Sequence, residues 1–262
     1  MSRGPRHTPF GACLVAFAIA SIVAACAQTQ KTGPPRTSPT SPAPMPAPAV
    51  TPTPFGSAAP APTGKMTKVV FRTVLPGLSA DNPDTKPKTL YRLDNRYGRI
   101  EYPLDPATGL QALVIVASPD AWFVDRAKNT GTHILDPGPT YNFRAPIAPH
   151  RGLPPEFLGL EFGRELDFLD AHGAKVKRDR SPRGEAVDIH ESILDGVQVL
   201  VSTEAGARKV LSVVLARDKT ILVSVHYDEY ATDLPPDLSL FAPPAGVRIS
   251  EQQAQKKAPK KR

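Results

Sequence analysis

Cysteine is nearly absent from this chain: its 262 residues include two, Cys13 and Cys26. Cys13 lies inside an N-terminal apolar stretch, so loss of that stretch leaves one thiol and no intramolecular disulfide. Long apolar runs are also scarce. Ala12 to Ala25 is too short to span a bilayer as a helix, and with Arg3 and Arg6 ahead of it this stretch fits the core of a signal peptide. Gly-x-Ser-x-Gly, a glycine-rich phosphate loop and His-Glu-x-x-His are all missing, and with them the commonest sequence signatures of catalysis. Asp188 and His190, and likewise His226 and Asp228, would share a face in a strand, but no third ligand is spaced to complete a metal site. A hydrolase built on these pairs would lack an activated nucleophile. The sequence therefore points away from an enzyme, with no cofactor and no metal expected. A basic fold is missing too. The chain carries +7 overall, yet the excess sits in Arg3, Arg6, Lys31, Arg36 and the C-terminal Lys256, Lys257, Lys260, Lys261 and Arg262, leaving residues 65–250 close to neutral. A nucleic-acid-binding domain would carry that excess on the fold itself, so nucleic acid is not an expected partner.

What is present begins with Val23-Ala24-Ala25-Cys26, a cysteine directly after small residues at the end of the apolar run. The pattern resembles the lipobox of bacterial lipoproteins, which implies cleavage after residue 25 and acylation of Cys26, with palmitate-type chains on its sulfur and amine. More than one chain is what stable anchoring requires, at roughly 0.8 kcal/mol per buried methylene. An ordinary secretory signal that leaves Cys26 as a free thiol is the alternative reading. The lipobox implies a protein of the bacterial cell envelope, lipid-anchored and facing the periplasm, with the outer membrane favoured over the inner.

Residues 26–64 follow as a spacer, with eleven prolines among the 33 residues from Thr32 to Gly64. Proline fixes the backbone and removes donors, so a disordered, partly extended tether is expected, with a reach of roughly 100 Å at about 3.1 Å per residue. Residues 251–262 read as a basic disordered tail, either simply solvated or touching an anionic envelope polymer. Between them, 65–250 is long enough for one domain with a sizeable core.

That domain has the texture of strands. Short β-branched or aromatic runs occur at Val69–Leu75, Thr89–Leu93, Arg99–Tyr102, Leu110–Ala117, Trp122–Asp125, Thr132–Leu135, Ala186–His190, Val197–Ser202, Arg208–Leu215 and Thr220–Tyr227. Asn129-Thr130-Gly131, Glu204-Ala205-Gly206 and Arg217-Asp218-Lys219 read as hairpin connections, so an antiparallel meander is expected. One segment differs. After Pro154 and Pro155, Leu158, Phe162, Leu166 and Leu169 recur at helical spacing and Gly173 follows as a stop, which predicts one amphipathic helix. In Leu110–Ala117, Val114 and Val116 face one way and Leu113 and Ile115 the other, and Arg208–Leu215 is apolar on both faces too. Both faces of these strands are therefore expected to be covered. A thick packed core and a ligand pocket under the helix both satisfy that pattern.

The C-terminal stretch reads Lys219-Thr220-Ile221-Leu222-Val223-Ser224-Val225, then Tyr227-Asp228-Glu229-Tyr230, then Phe241-Ala242-Pro243-Pro244-Ala245-Gly246-Val247. It resembles the closing strands of the LolA/LolB-like superfamily of lipoprotein carriers, sorting proteins and an envelope-stress sensor. Upstream, Arg99-Ile100-Glu101-Tyr102-Pro103 and Asp120-Ala121-Trp122-Phe123-Val124-Asp125 are similar to that family's arginine-bearing and aromatic-Asp strands. The family's usual N-terminal helix has no counterpart ahead of Val69, and the loop Asp136–Tyr141 has no place in the family pattern. The resemblance implies a mainly β, α+β fold, a curved antiparallel sheet or incomplete β-barrel covered by one or more helices. It implies binding of a hydrophobic ligand, whether acyl chain, lipid or lipidated protein, and a part in lipoprotein sorting or envelope biogenesis. The expected cavity would be lined by Leu158, Phe162, Leu166, Leu169, Val114, Val116, Val223 and Val225. The alternative is a sensor or protein-interaction module on the same fold.

Overall fold

The computed structural model describes residues 64–252 apart from 76, 136–141 and 149–152. The signal, the acylation site Cys26, the spacer up to residue 63, the Asp136–Tyr141 loop and the tail beyond Gln252 lie outside the described residues.

The fold is mainly β, a single open twelve-stranded sheet with one α-helix among the described residues. Strands β1 (Met66–Thr73), β2 (Lys88–Leu93), β3 (Tyr97–Glu101), β4 (Ala112–Ala117), β5 (Asp120–Asp125) and β6 (Thr130–Leu135) form one antiparallel meander. A second is formed by β7 (Lys175–Arg180), β8 (Ala186–Leu194), β9 (Val197–Glu204), β10 (Val210–Arg217) and β11 (Thr220–Leu234). The two join through β1 and β11, and with the last strand, β12 (Arg248–Gln252), the order is β12-β6-β5-β4-β3-β2-β1-β11-β10-β9-β8-β7. Strand β12 pairs parallel to β6, which makes an otherwise antiparallel sheet mixed.

Turn chemistry fixes the registers. Asp195 and Gly196 both have positive φ between the Leu194↔Val197 pair, as do Asp218 and Lys219 between Arg217↔Thr220. These are two-residue turns of the kind whose twist matches the flanking strands. The expected Asn129-Thr130-Gly131 connection is shifted, because the turn ends at Asn129 and Gly131 is already in β6. A Cβ on Gly131 would lie 2.9 Å from the Ile249 side chain, so the bare glycine admits β12 alongside.

The topology explains why central strands are apolar on both sides. Leaving β6, next to one edge, the chain must reach β7 at the other, and residues 142–148 and 153–174 lie across one face of the sheet. Leaving β11, residues 235–247 return across the opposite face to β12. The first crossing buries the larger cluster, including Val69, Phe71, Phe143, Phe157, Leu160, Val199, Val213 and Val225. The second buries Met66, Leu93, Leu113, Ile115 and Val124 beneath Phe241. In β10, a register shift between Val210 and Ser212 puts Val210 on the same buried side as Val213 and Leu215, where simple alternation would oppose them.

The single amphipathic helix expected across Leu158–Leu169 is not formed. The segment splits into a 3-10 turn, Pro155–Gly159, and a short helix α1, Glu165–Ala171. Between them Glu161 bridges to Pro146, and Gly163 turns with φ +77°, a conformation that favours glycine. Leu158 consequently points outward at 46% exposure, while Phe162, Leu166 and Leu169 are buried. Gly173, with φ +63°, does end α1 as the sequence predicts.

Strand β12 runs two residues into the segment read as a tail, and Glu251 Oε2 lies 2.7 Å from His133 Nδ1. Truncation after Gln252 should therefore leave the unfolding midpoint unchanged. Truncation after Ser250 should lower stability by up to about 1 kcal/mol, the range of an exposed pair. Thermal denaturation of the two truncated chains side by side checks this.

Candidate functional site

Two polar arrangements stand out from the packed strands. The first lies under α1. Glu165 is fully buried, with Oε1 accepting from the Tyr227 hydroxyl and from the Gly163 N–H at 2.9 Å, and Oε2 accepting from the Tyr230 hydroxyl at 2.8 Å. Beside it, Arg92 donates from Nη2 to Glu161 Oε2 at 2.5 Å and stacks over the Phe143 ring at 5.3 Å. Glu161 also accepts from Arg144 Nε at 3.1 Å. Among the described residues the Arg92 Nε and Nη1 have no partner. A Cβ on Gly98 would come within 2.2 Å of the Phe143 ring, so that glycine lets Phe143 lie against the sheet. These groups pin the crossing segment to the strands.

Burial pushes the Glu165 carboxyl above its ordinary value, against the opposing pull of the tyrosine hydroxyls and the Gly163 N–H. Burial and then the Glu165 charge push both phenols up as well. The folded chain thus holds the Glu165 proton more tightly than the unfolded chain. Its stabilising contribution is complete below the ordinary carboxyl value and is lost as pH rises through the raised one. Glu165→Gln keeps a hydrogen-bonding amide in place and removes the titration. The variant should gain stability relative to wild type as pH rises from about 4 to about 8. Urea midpoints at both ends check this, and a difference independent of pH would contradict it.

The second arrangement is a cavity of about 410 Å³ on the opposite face, lined by Arg72, Thr73, Val74, Leu75, Leu78, Thr85 and His226. Its walls come from the end of β1 and the loop to β2. That loop is held by Asn82, whose side chain caps the 3-10 turn Pro83–Thr85 through the Asp84 N–H at 2.8 Å, and by the Lys88–Asp84 pair at 2.6 Å. On the other side the β1–β11 register slips between Val70↔Glu229 and Phe71↔Tyr227, so Asp228 has no opposite residue. Its carboxylate turns back to Arg72 Nη2 at 2.9 Å, with His226 Nε2 at 3.9 Å. Arg72 Nε is buried without a partner among the described residues. The cavity combines an apolar wall, Val74, Leu75 and Leu78, with a polar rim made of the Arg72–Asp228 pair and His226, and its volume is in the range of small-molecule sites.

The eight residues expected to line a cavity fall elsewhere. Phe162, Leu166, Leu169, Val116, Val223 and Val225 are buried in the larger hydrophobic cluster under the crossing segment. Val114, half-buried, sits between Ile100 and Phe123 in the sheet, and Leu158 is exposed. None of the eight borders the described cavity. Asp188 is bound by both Arg178 Nε at 2.8 Å and Arg178 Nη2 at 2.9 Å and by the Gly206 N–H at 2.8 Å. Those bonds, the arginine's first, hold its carboxyl down at about 2. It therefore serves the β7–β8 pairing, and His190 contacts Thr203 at 3.4 Å. His226 and Asp228 do come near one another, but as part of the Arg72 rim. Among the described residues no cluster of three or more His, Cys, Asp or Glu could hold a metal ion, and no helix is long and apolar enough to cross a membrane. Arg72 and the β1–β2 loop carry no signal in the sequence, where an arginine between Phe71 and Thr73 reads as an ordinary outward strand position.

The class of protein defined here is an open, mainly β sheet with both faces crossed by its own chain. Neither a protein-family model nor a curated protein matches the chain. Among solved structures, the chain is similar to an uncharacterized conserved protein from Thermus thermophilus, at 11% identity and TM-score 0.40, over 72% of this chain and 92% of that one. It is also similar to MucB, solved in complex with MucA(peri), at 10% identity and TM-score 0.34, over 71% of this chain and 57% of that one. A third is PNGF-II, at 9% identity and TM-score 0.29, over 72% of this chain and 31% of that one. Likenesses this distant carry no argument about activity or partners.

Proposed function

We propose that this chain is a lipid-anchored protein of the bacterial envelope whose sheet domain binds an anionic amphiphile in the cavity beside Arg72. The observation that carries this reading is the pairing of an apolar wall with a polar rim in which Arg72, held by Asp228, keeps a buried Nε that has no acceptor among the described residues. An acyl chain or other apolar tail would lie against Val74, Leu75 and Leu78, and its anionic head would meet Arg72 and His226. The lipobox-like Val23-Ala24-Ala25-Cys26 and the proline-rich stretch behind it support placement on a tether facing the periplasm. The resemblance of the closing strands to the LolA/LolB-like superfamily supports a role in handling lipid or lipidated protein. Catalysis is not part of this reading.

Cys26→Ser should release the protein from membranes into the soluble fraction, because two or more chains, and not a single apolar helix, would be holding it. Fractionation with a high-salt wash checks this, and a variant that still pellets with the membrane would overturn the anchoring. Organic extraction of the full chain, followed by mass spectrometry, should recover an anionic lipid beyond the N-terminal acyl groups. Protein that comes out empty after gentle purification counts against ligand carriage.

A further inference from the structure

Among the described residues strand β7 is the free edge of the second meander, and all six of its residues, Lys175-Val176-Lys177-Arg178-Asp179-Arg180, are exposed. We infer that this edge is a docking site for an extended acidic segment of another protein, which adds to the sheet as a further antiparallel or parallel strand. An edge strand presents unpaired N–H and C=O groups along its length, and main-chain pairing of this kind supplies affinity while side chains supply selection.

The charge pattern fixes what can pair there. Four of the six residues are cations and one is an acid. Lys175 and Lys177 share a face with Glu191 and Ile189 of β8, whereas Val176, Arg178 and Arg180 lie on the other with His190, Asp188 and Ala186. An incoming strand therefore meets cations on both of its sides, with Val176, 60% exposed, as the apolar contact between them. Arg178 is engaged by Asp188, and Lys177 reaches Asp179 at 3.5 Å. Among the described residues Lys175 and Arg180 have no carboxylate within ion-pair distance, and Arg180 Nη1 donates only to the Gly184 carbonyl at 2.9 Å.

The same pattern argues against the other occupants. A second copy of this chain would set one cationic edge against another, and like charges facing across a strand pair are destabilising. The chain's own ends have the wrong chemistry. Residues 1–63 and 253–262 contain no Asp or Glu, and the first of these is dense in proline, which cannot donate to a ladder. Lysine on an edge is also how sheets avoid self-association. Here that protection and the selection of an acidic partner are one property, since a row that repels its own kind admits an anionic strand. The opposite edge, β12, carries Arg248 and Glu251 and offers no charge of one sign.

The test uses the full chain and a fluorescein-labelled heptapeptide alternating glutamate and valine. Anisotropy should show saturable binding that weakens with salt, and hydrogen exchange should show slowed amides in β7. The variant K175E/K177E/R180E leaves the Arg178–Asp188 pair in place. It should lose roughly tenfold or more in affinity for the acidic peptide and gain binding to a lysine–valine heptapeptide. A peptide N-methylated at alternate amides should fail to bind in either case. Binding that survives the charge reversal, protection that appears away from β7, or no binding of the acidic peptide at all would overturn the inference. None of these outcomes depends on the Arg72 cavity, so the two proposals fail separately.

Discussion

Glu161→Ala is expected to destabilise the domain by about 3–5 kcal/mol, because it strands a charge where water cannot reach it. Arg92 and Glu161 have side chains only 4% and 6% exposed, and among the described residues Glu161 supplies the one carboxylate that Arg92 touches. Among the described residues two of the three guanidinium nitrogens of Arg92 already lack a partner, and Glu165, close by, is held by Tyr227 and Tyr230. Replacing both members with apolar residues of similar size, Arg92→Met with Glu161→Leu, should cost much less than the single change, since no charge is left behind. A double-mutant cycle followed by urea unfolding reads the difference. If the single and the double variants unfold alike, the pair is not what secures the crossing segment.

Phe162→Ala should cost a similar amount, roughly 3–5 kcal/mol, and leave ligand binding per folded molecule unchanged. The Phe162 ring stacks on Phe71 with centroids 3.9 Å apart and meets Tyr227 edge-on at 6.2 Å. Removing it opens a cavity in a packed hydrophobic cluster that also holds Leu166 and Leu169 of α1. Had Phe162 lined a ligand pocket, the ligand-free protein would tolerate the change and retention would suffer. Melting curves together with amphiphile titration of the folded fraction separate these outcomes.

Apart from β7, the strands of both meanders are legible in the sequence because their signals are local. β-branched runs broken by turns such as Glu204-Ala205-Gly206 or Arg217-Asp218-Lys219 need no distant information to be recognised. β7 leaves no such signal because Lys175–Arg180 has no apolar alternation: an edge strand with all its residues exposed buries nothing, so periodicity has nothing to report. β12 is silent for the same reason, and its parallel pairing with β6 depends on where the chain returns after crossing the sheet. The doubly apolar strands announce two covered faces, but a strand pattern does not say that two separate crossings cover them. The segment between Pro154 and Gly173 reads as one continuous helix because Leu158, Phe162, Leu166 and Leu169 keep helical spacing. What breaks it is Glu161, drawn to an arginine 69 positions away, followed by Gly163 in a left-handed turn. The Glu165 hub has the same character, since Tyr227 and Tyr230 are 62 and 65 positions distant. The Arg72 cavity arises from a register slip and a loop, neither of which leaves a periodic trace.

The most direct measurement is titration of the Cys26→Ser full chain with dansyl-labelled undecanoate, alone and with Leu78→Trp added. Amphiphile binding at the cavity predicts one saturable site that Leu78→Trp abolishes by filling the apolar wall, with the melting temperature maintained and with Arg72→Gln weakening the same site. Equal affinity in the Leu78→Trp protein, or no saturable binding in its parent, would contradict it.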